Sequence, residues 1–163
     1  MHQQETTPDN VLLQTRIIVG ALAAGATMFT AVSFYLHFTT GPFVTDDPVL
    51  VYSLTGVAAV LILITAAISF VAPVVLIKKA GVSAAQSPTP EEGEAAIAMH
   101  YHKLTIVRGV LAEWPTLFCI VIFLLAGFWP ILAGLLLGLA HFALIFPTKD
   151  RYDTFTQRAL GMK

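Results

Sequence analysis

The stretch that decides the fold is His102–Phe128, HKLTIVRGVLAEWPTLFCIVIFLLAGF. It is long enough to cross a bilayer, because a hydrocarbon core of about 30 Å needs about 20 apolar residues in a helix. Arg108, Glu113 and Pro115 interrupt it. Two charged side chains and a helix breaker are costly inside a membrane, so the stretch predicts both a transmembrane helix and a candidate functional site.

The composition of the whole chain is typical of a membrane protein. Of 163 residues, 56% are hydrophobic and 12% are charged, about half the charged fraction of a soluble domain. We predict an all-α membrane protein in which residues 1–163 form one four-helix transmembrane domain. The four predicted spans are about 17–38, 49–77, 104–128 and 129–146.

The positions of the nine Lys and Arg residues predict the topology. All of them fall on one side of the four spans, at Arg16, Lys78, Lys79, Lys103, Arg108, Lys149, Arg151, Arg158 and Lys163. Because basic residues near span ends face the cytoplasm, we expect both termini, the connector 78–103 and the tail 147–163 to be cytoplasmic. On the opposite side, we interpret Asp46 and Asp47 as part of a solvated loop.

Several classes of protein are disfavoured by the composition. A net charge of −1 offers no basic surface for nucleic acid. The polar start of the chain lacks the basic region and cleavage site of a signal peptide. Cys119 is the only cysteine, so no disulfide forms within the chain. We expect the lipid bilayer as the main partner, together with a homo-oligomer or a membrane-complex subunit contact.

The histidine positions do not predict a metal or a cofactor. His100 and His102 are two residues apart and point about 200° apart on a helix, so they do not chelate one ion together. His37 and His141 lie near opposite membrane faces, which disfavours two axial ligands to one haem. No span offers a nucleophile with a base. We therefore expect no metal, no cofactor and no enzymatic activity.

Local signals predict two cytoplasmic helical segments. Thr89-Pro90-Glu91-Glu92 is a capping box with Pro at the first helical position, so the third helix begins near Pro90 and extends from the cytoplasm into the membrane. It follows AGVSAAQSPTP, which we interpret as a flexible connector. In the tail, one helix face carries Tyr152, Phe155 and Ala159, as expected for a short interfacial helix.

Two pairs of small residues predict close helix packing. Ala21 and Gly25 in the first span, and Gly134 and Gly138 in the fourth, are each four residues apart, so neighbouring backbones can approach closely. For the first pair we expect packing within the chain, with an oligomer contact as the alternative.

An internal duplication is suggested by the first and third spans. At an offset of 89 residues, nine of twenty positions from Ile17 and from Ile106 onward are identical, including Gly20/Gly109 and Thr27/Thr116. We interpret the chain as two hairpins of one type, related by an axis along the membrane normal.

A polar cluster around Glu113 is the candidate site. Depth along the helices places His141 and Ser69 near Glu113, with Thr116 one turn away and Thr65 as a further hydroxyl. The supporting residues are Arg108, Gly109 and Pro115. Either Glu113 binds and releases a proton or cation, or it is neutral or ion-paired and fixes helix register.

Two resemblances bear on this choice. The segment Gly109–Phe118, GVLAEWPTLF, resembles the carboxylate helix of rotor-ring c subunits and vacuolar-type proteolipids, which implies that Glu113 is an ion-binding carboxylate. The ending Phe146-Pro147-Thr148-Lys149 and the Arg-x-x-Leu-x-Glu pattern from Arg108 resemble small four-span bacterial inner-membrane proteins, which implies an architecture and no activity. We expect a non-enzymatic accessory or self-associating protein, with a proton- or sodium-translocating subunit as the alternative.

Overall fold

The computed structural model describes residues 7–43 and 47–162, and its regular elements are helices. Five α-helices follow one another: α1 Pro8–Thr40, α2 Pro48–Ala85, α3 Pro90–Ala126, α4 Leu132–Ile145 and α5 Lys149–Ala159. A 3-10 turn, Trp129–Ile131, precedes α4. The described residues contain no strand, which confirms the all-α prediction. Asp46 and Lys163, placed above in a loop and in the tail, lie outside the described residues.

Three helices are long and apolar enough to cross a membrane. The most apolar windows of α1, α2 and α3 have mean hydropathies of 1.9, 2.8 and 2.1. α4 has 14 residues, about 21 Å of helix, which falls short of a hydrocarbon core of about 30 Å. A bend of 69° separates the segment Trp129–Ile145 from helix α5. These two pieces pass as a fourth candidate span only when they are counted together. The described residues thus provide three candidate spans, or four with the bent pair.

Prolines and short polar caps determine where the long helices begin. Thr89 Oγ1 accepts a hydrogen bond from the Glu92 N–H at 3.3 Å, which confirms the predicted start of α3. Asp47 Oδ1 accepts from the Leu50 N–H at 3.0 Å at the start of α2. The exposed Asp47 therefore caps a helix as well as facing solvent. Each long helix has proline at its first position, namely Pro8, Pro48 and Pro90.

Helix α2 is longer than the sequence predicts. It continues to Ala85, whereas a flexible connector was expected directly after Lys79. Tertiary packing supports the extra turns, because Ala80 is fully buried and Gly81 lies directly against the backbone carbonyl of Ala159. The connector prediction is wrong for this segment, since packing against α5 compensates for its weak local helix propensity.

The helices contribute to two compact units. The basic unit comprises the described residues 7–20, 69–108 and 146–162, and the apolar unit comprises 21–43, 47–68 and 109–145. All described Lys and Arg residues belong to the basic unit, which is eight of the nine once Lys163 is set aside. Among the described residues, the long helices therefore supply Lys and Arg to one unit only.

The core of the basic unit forms where α5 packs onto α3. Phe155 is 5% exposed, and its ring centroid lies 5.4 Å from that of Tyr101. Tyr152 and Ala159 pack partly buried against the same core, which confirms the predicted apolar face of the tail helix. The buried members of this core are Leu12, Ala80, Ile97, Tyr101, Leu104 and Phe155.

Helix α3 is the most enclosed of the long helices. Of its most apolar window, 44% is buried, compared with 17% in α1 and 6% in α2. In the apolar unit its side chains form most of the core, which consists of Ala58, Cys119, Ile120, Ile122, Phe123, Ile131 and Leu135. The helix continues through Pro115 without interruption. The part of the opening stretch from Gly109 onward therefore forms the centre of this unit.

Candidate functional site

A half-open groove of about 300 Å³ lies between α2, α3 and α4 in the apolar unit. Its polar side chains are Thr65, Thr116 and His141. The remaining lining is apolar, with many small residues, and consists of Ile62, Ala66, Ala112, Pro115, Gly134, Leu137, Gly138, Ala140 and Leu144. Grooves of this composition, mostly apolar with a few polar groups, are typical of binding sites for apolar molecules.

The groove exists because α3 and α4 approach closely at two glycines. Gly138 lies directly against the Thr116 side chain, with no room for a Cβ. A Cβ on Gly134 would lie 2.9 Å from the Cys119 sulfur. The predicted packing role of this small pair is therefore confirmed. Thr116 is almost fully buried and donates its hydroxyl proton to the Ala112 carbonyl at 2.7 Å, so it offers a groove ligand only an acceptor.

The first small pair behaves differently. Nothing lies within 4 Å of a Cβ placed on Gly25 or on Gly20. Ala21, Ala24 and Gly25 are all exposed. The expectation that this pair packs within the chain is therefore wrong for the described residues, because no other helix reaches this face of α1.

The structure brings together only part of the predicted polar cluster. His141, Thr116 and Pro115 line the groove, as does Thr65, whereas Glu113 does not. The α3 residues that line the groove are Ala112, Pro115 and Thr116, which share one face of the helix. Glu113, one residue after Ala112, points about 100° away from that face. Glu113 and His141 were predicted to be neighbours because they lie at similar depths along their helices. The Glu113 side chain nevertheless points away from the groove that His141 lines.

Glu113 is half-buried as a residue, and its carboxylate makes no hydrogen bond or ion pair with the residues that the structure describes. The expected pair between Glu113 and His141 is thus not formed. Trp114 beside it is 72% exposed. Neither side chain lines the groove, and both lie on the face of α3 that would meet lipid in a transmembrane helix.

The other predicted members belong to different units. Ser69 is 4% exposed and lies in the basic unit, as does Arg108. Gly109, the residue after Arg108, is buried and lies in the apolar unit. The Nε atom of Arg108 is buried and has no hydrogen-bond partner among the described residues. Arg108 therefore does not snorkel fully to solvent.

An aromatic cluster around His37 was not predicted. The imidazole lies 4.8 Å from the Phe123 ring and 5.9 Å from the Trp129 ring, measured between centroids. Its Nδ1 atom is buried without a hydrogen-bond partner. Gly127, with φ of +60°, lets the chain turn beside the imidazole, where a Cβ would lie 2.8 Å from His37 Cε1. The sequence indicated only that these residues share one end of the spans.

In the basic unit, His102 bonds to α1 rather than standing free in solvent. Thr15 Oγ1 lies 2.6 Å from the Val11 carbonyl and 2.6 Å from His102 Nδ1. Because a hydroxyl has one proton and Thr15 donates it to Val11, His102 Nδ1 is the donor in the second bond. Burial lowers the pKa of His102, which keeps the imidazole neutral near pH 7.

Two tyrosines link α3 to α5 in the same unit. The ring centroids of Tyr101 and Tyr152 are 5.3 Å apart in an edge-to-face arrangement. Burial raises the pKa of both hydroxyls, so both stay protonated at neutral pH.

Metal-ligating side chains do not gather anywhere in the described part of the chain. Within residues 7–43 and 47–162, no group of three or more His, Cys, Asp or Glu side chains is placed to hold a metal ion.

The chain matches no protein-family model, no curated protein and no solved structure.

Proposed function

We propose that this chain is a small non-enzymatic protein of the bacterial inner membrane that acts by associating within the bilayer, chiefly with copies of itself. The observation that carries this proposal is the contrast between the two small-residue pairs. Gly134 and Gly138 are filled by α3 of the same chain, whereas Gly25 has open space around it. Apolar helices gain little from leaving lipid, so close backbone approach is the main source of association energy, and an open small face is suited to it.

The partner that best fits this face is a second α1. Its exposed residues around Gly25 are small or apolar and carry no charge: Ala21, Ala24, Met28 and Val32. An uncharged face of small residues is complementary to itself, as a two-fold interface requires.

The substitution Gly25→Ile tests self-association. The full chain is reconstituted in lipid bicelles, and the dimer fraction is measured by energy transfer between labelled copies. We expect Gly25→Ile to weaken association by at least about tenfold, or about 1.4 kcal/mol. Gly56→Ile is the matched control. A Cβ on Gly56 also meets nothing within 4 Å, but the residues four positions before and after it are Tyr52 and Val60, which are large. A wild-type chain that stays monomeric at all protein-to-lipid ratios would overturn the proposal.

The topology in this proposal has four spans with both termini in the cytoplasm. It is supported by the nine Lys and Arg residues at one set of span ends and by the lengths of α1, α2 and α3. In this proposal the fourth span is the 3-10 turn together with α4, about 27 Å at about 2.0 and 1.5 Å per residue. Helix α5, beyond the 69° bend, lies at the cytoplasmic boundary. The alignment of the first span on the third supports two hairpins of one type.

Cysteine labelling in spheroplasts tests this topology. An impermeant thiol reagent added outside is expected to label Phe43→Cys but neither Gln86→Cys nor Gln157→Cys. The native Cys119 is fully buried and provides the unlabelled background. External labelling at Gln86→Cys contradicts the assigned orientation.

A second candidate function, proton or sodium translocation, is favoured by one observation. The Glu113 carboxylate has no protein partner among the described residues, so nothing within them holds it permanently ion-paired. In native membranes, a hydrophobic carbodiimide is expected to label Glu113 in a pH-dependent way, and Glu113→Gln removes the label. Absence of labelling at any pH would leave only the association function.

A further inference from the structure

The Arg108 guanidinium is incompletely paired. Arg108 is half-buried on α3, and its Nε atom has no hydrogen-bond partner among the described residues. A guanidinium always carries its charge and has five N–H donors and no acceptor, so a buried N–H without a partner is costly. A ligand that supplies an oxygen acceptor to Arg108 removes this cost.

Two further arginines meet at the segment between α4 and α5. Arg16 Nε donates a hydrogen bond to the Pro147 carbonyl at 2.9 Å, and Arg151 Nη1 donates to the Phe146 carbonyl at 3.0 Å. These carbonyls belong to adjacent residues beyond the end of α4. The guanidinium groups of Arg16 and Arg151 are therefore both anchored to neighbouring residues of this one segment.

Tyr101 relates the position of Arg108 to those of Arg16 and Arg151. Tyr101 and Arg108 are seven residues apart on α3, so they share a face two turns apart. The Tyr101 face packs on α5 through Tyr152 and Phe155. The positive charges of Arg151, Arg108 and Arg16 all act on the Tyr101 hydroxyl and oppose the rise of its pKa through burial.

The charges that act on Tyr101 are all basic. The carboxylates of Glu94, Asp153 and Asp9 act on Tyr152 instead, where they raise the pKa of its hydroxyl. Arg16 and Arg108 form no ion pair with a carboxylate of the described residues. The positive charges of Arg16, Arg108 and Arg151 repel one another, and an anion bound at Arg108 reduces this repulsion.

The sequence positions of these arginines indicate where the anion lies. Arg16 directly precedes the first apolar stretch, Arg108 lies four residues into the third, and Arg151 follows the fourth closely. All three are at the ends of the predicted spans, where lipid phosphates lie. Basic pockets between helices at this level are typical sites for anionic headgroups.

We propose that Arg16, Arg108 and Arg151 form a binding site for the phosphodiester group of an anionic phospholipid. The phosphate oxygens accept hydrogen bonds from Arg108 Nε and from the remaining N–H groups of Arg16, while exposed Arg151 forms the entrance. The lipid tails lie along the apolar helix surface. This site requires neither self-association nor a titrating Glu113, so it extends beyond the proposed function.

Lipid binding to the delipidated full chain in detergent tests the proposal. Phosphatidylglycerol and phosphatidylcholine are titrated separately, and bound lipid is counted by native mass spectrometry. We expect saturable binding of phosphatidylglycerol, weakened about tenfold or more by Arg108→Gln, because hydrogen bonds to charged groups contribute strongly. Arg108→Lys keeps the charge but loses the planar donor set, and we expect it to restore binding only in part.

The matched control is Arg158→Gln, which removes the same charge from an exposed position on α5. It should leave phosphatidylglycerol binding unchanged. Equal weakening by Arg158→Gln would show that diffuse charge attracts the lipid, and equal binding of phosphatidylcholine would show that phosphate recognition is not selective for anionic lipid; either result overturns the proposal.

Arg151→Gln covers the case in which Arg108→Gln fails to fold, since Arg151 is exposed. We expect it to weaken phosphatidylglycerol binding as well, and unchanged binding contradicts the site. Inorganic phosphate is the remaining probe. If millimolar phosphate displaces phosphatidylglycerol completely, the site takes free phosphate and the lipid assignment is wrong; retention of the lipid supports it.

Discussion

The apolar unit and the basic unit are stabilised in different ways. In the apolar unit, rings and glycines meet directly, as Phe123 does with Phe34 at 4.8 Å between centroids and Gly138 does with Thr116. In the basic unit, side chains bond to distant partners, as Arg16 does to the Pro147 carbonyl and His102 does to Thr15. The apolar unit depends on shape, and the basic unit depends on polar contacts as well as its small core.

This difference follows from the surroundings of each unit, because the residues of the apolar unit suit lipid and those of the basic unit suit the membrane boundary. In lipid, apolar side chains gain little by leaving their surroundings, so close packing decides which helices touch. At the membrane boundary, water competes for every hydrogen bond, and a single polar contact contributes only about 0.5–1.5 kcal/mol. We therefore expect substitutions that alter shape in the apolar unit to cost more than the loss of one polar contact in the basic unit.

The largest effect is expected for Phe123→Ala. Phe123 is 1% exposed and contacts the rings of Phe34, His37 and Trp129. We expect the free energy of unfolding to fall by about 3 kcal/mol. This value is at the low end for a buried aromatic side chain, because the side chain packs against protein instead of lipid and gains less than it would by leaving water. Reversible unfolding in mixed micelles measures it. A loss of stability smaller than that caused by the polar substitutions would contradict the expected difference between the two units.

The substitution Gly138→Ala is expected to cost about 2 kcal/mol, because a Cβ there collides with Thr116 and forces α3 and α4 apart. The same unfolding assay applies. Gly25→Ala is the matched control, since its Cβ meets nothing within 4 Å, and we expect no loss of stability. Equal losses for the two variants would contradict the different roles of the two small pairs.

In the basic unit, Thr89→Ala removes the cap of α3. We expect a loss of about 1 kcal/mol, with faster hydrogen exchange confined to the first turn of the helix. Thr27→Ala is the control, because the Thr27 hydroxyl only bonds back to the Ala23 carbonyl of its own helix. A loss from Thr89→Ala as large as that from Phe123→Ala would remove the distinction between the units.

The smallest effect concerns pH and His102. Because burial lowers the pKa of His102 in the folded protein, its contribution to stability is complete above about pH 6.5 and is lost as the pH falls through the folded-state pKa. His102→Asn keeps a donor toward Thr15 but does not titrate, so part of the acid sensitivity should disappear. Unfolding curves from pH 7.5 to pH 5 measure this. An unchanged pH slope would show that the acid sensitivity arises elsewhere.

The sequence correctly predicts the helical class, the apolar character and the start of α3. These depend on local chemistry: the length of an apolar run, proline at the first helical position and a threonine that accepts a backbone hydrogen bond. It also identified the face of α5 that carries Phe155, since the helical repeat fixes which residues point together. For the candidate site, it identified Thr116, Pro115 and His141 but placed Glu113 with them.

Tertiary packing fixes which of the two similar small-residue pairs is filled, and it turns Glu113 away from His141. It also decided that Arg16 meets Pro147, 131 residues away in the chain. Neither periodicity nor composition contains this information, because both describe one helix at a time. Contacts between helices depend on the direction from which each neighbour approaches, and that direction is fixed only when all helices pack together.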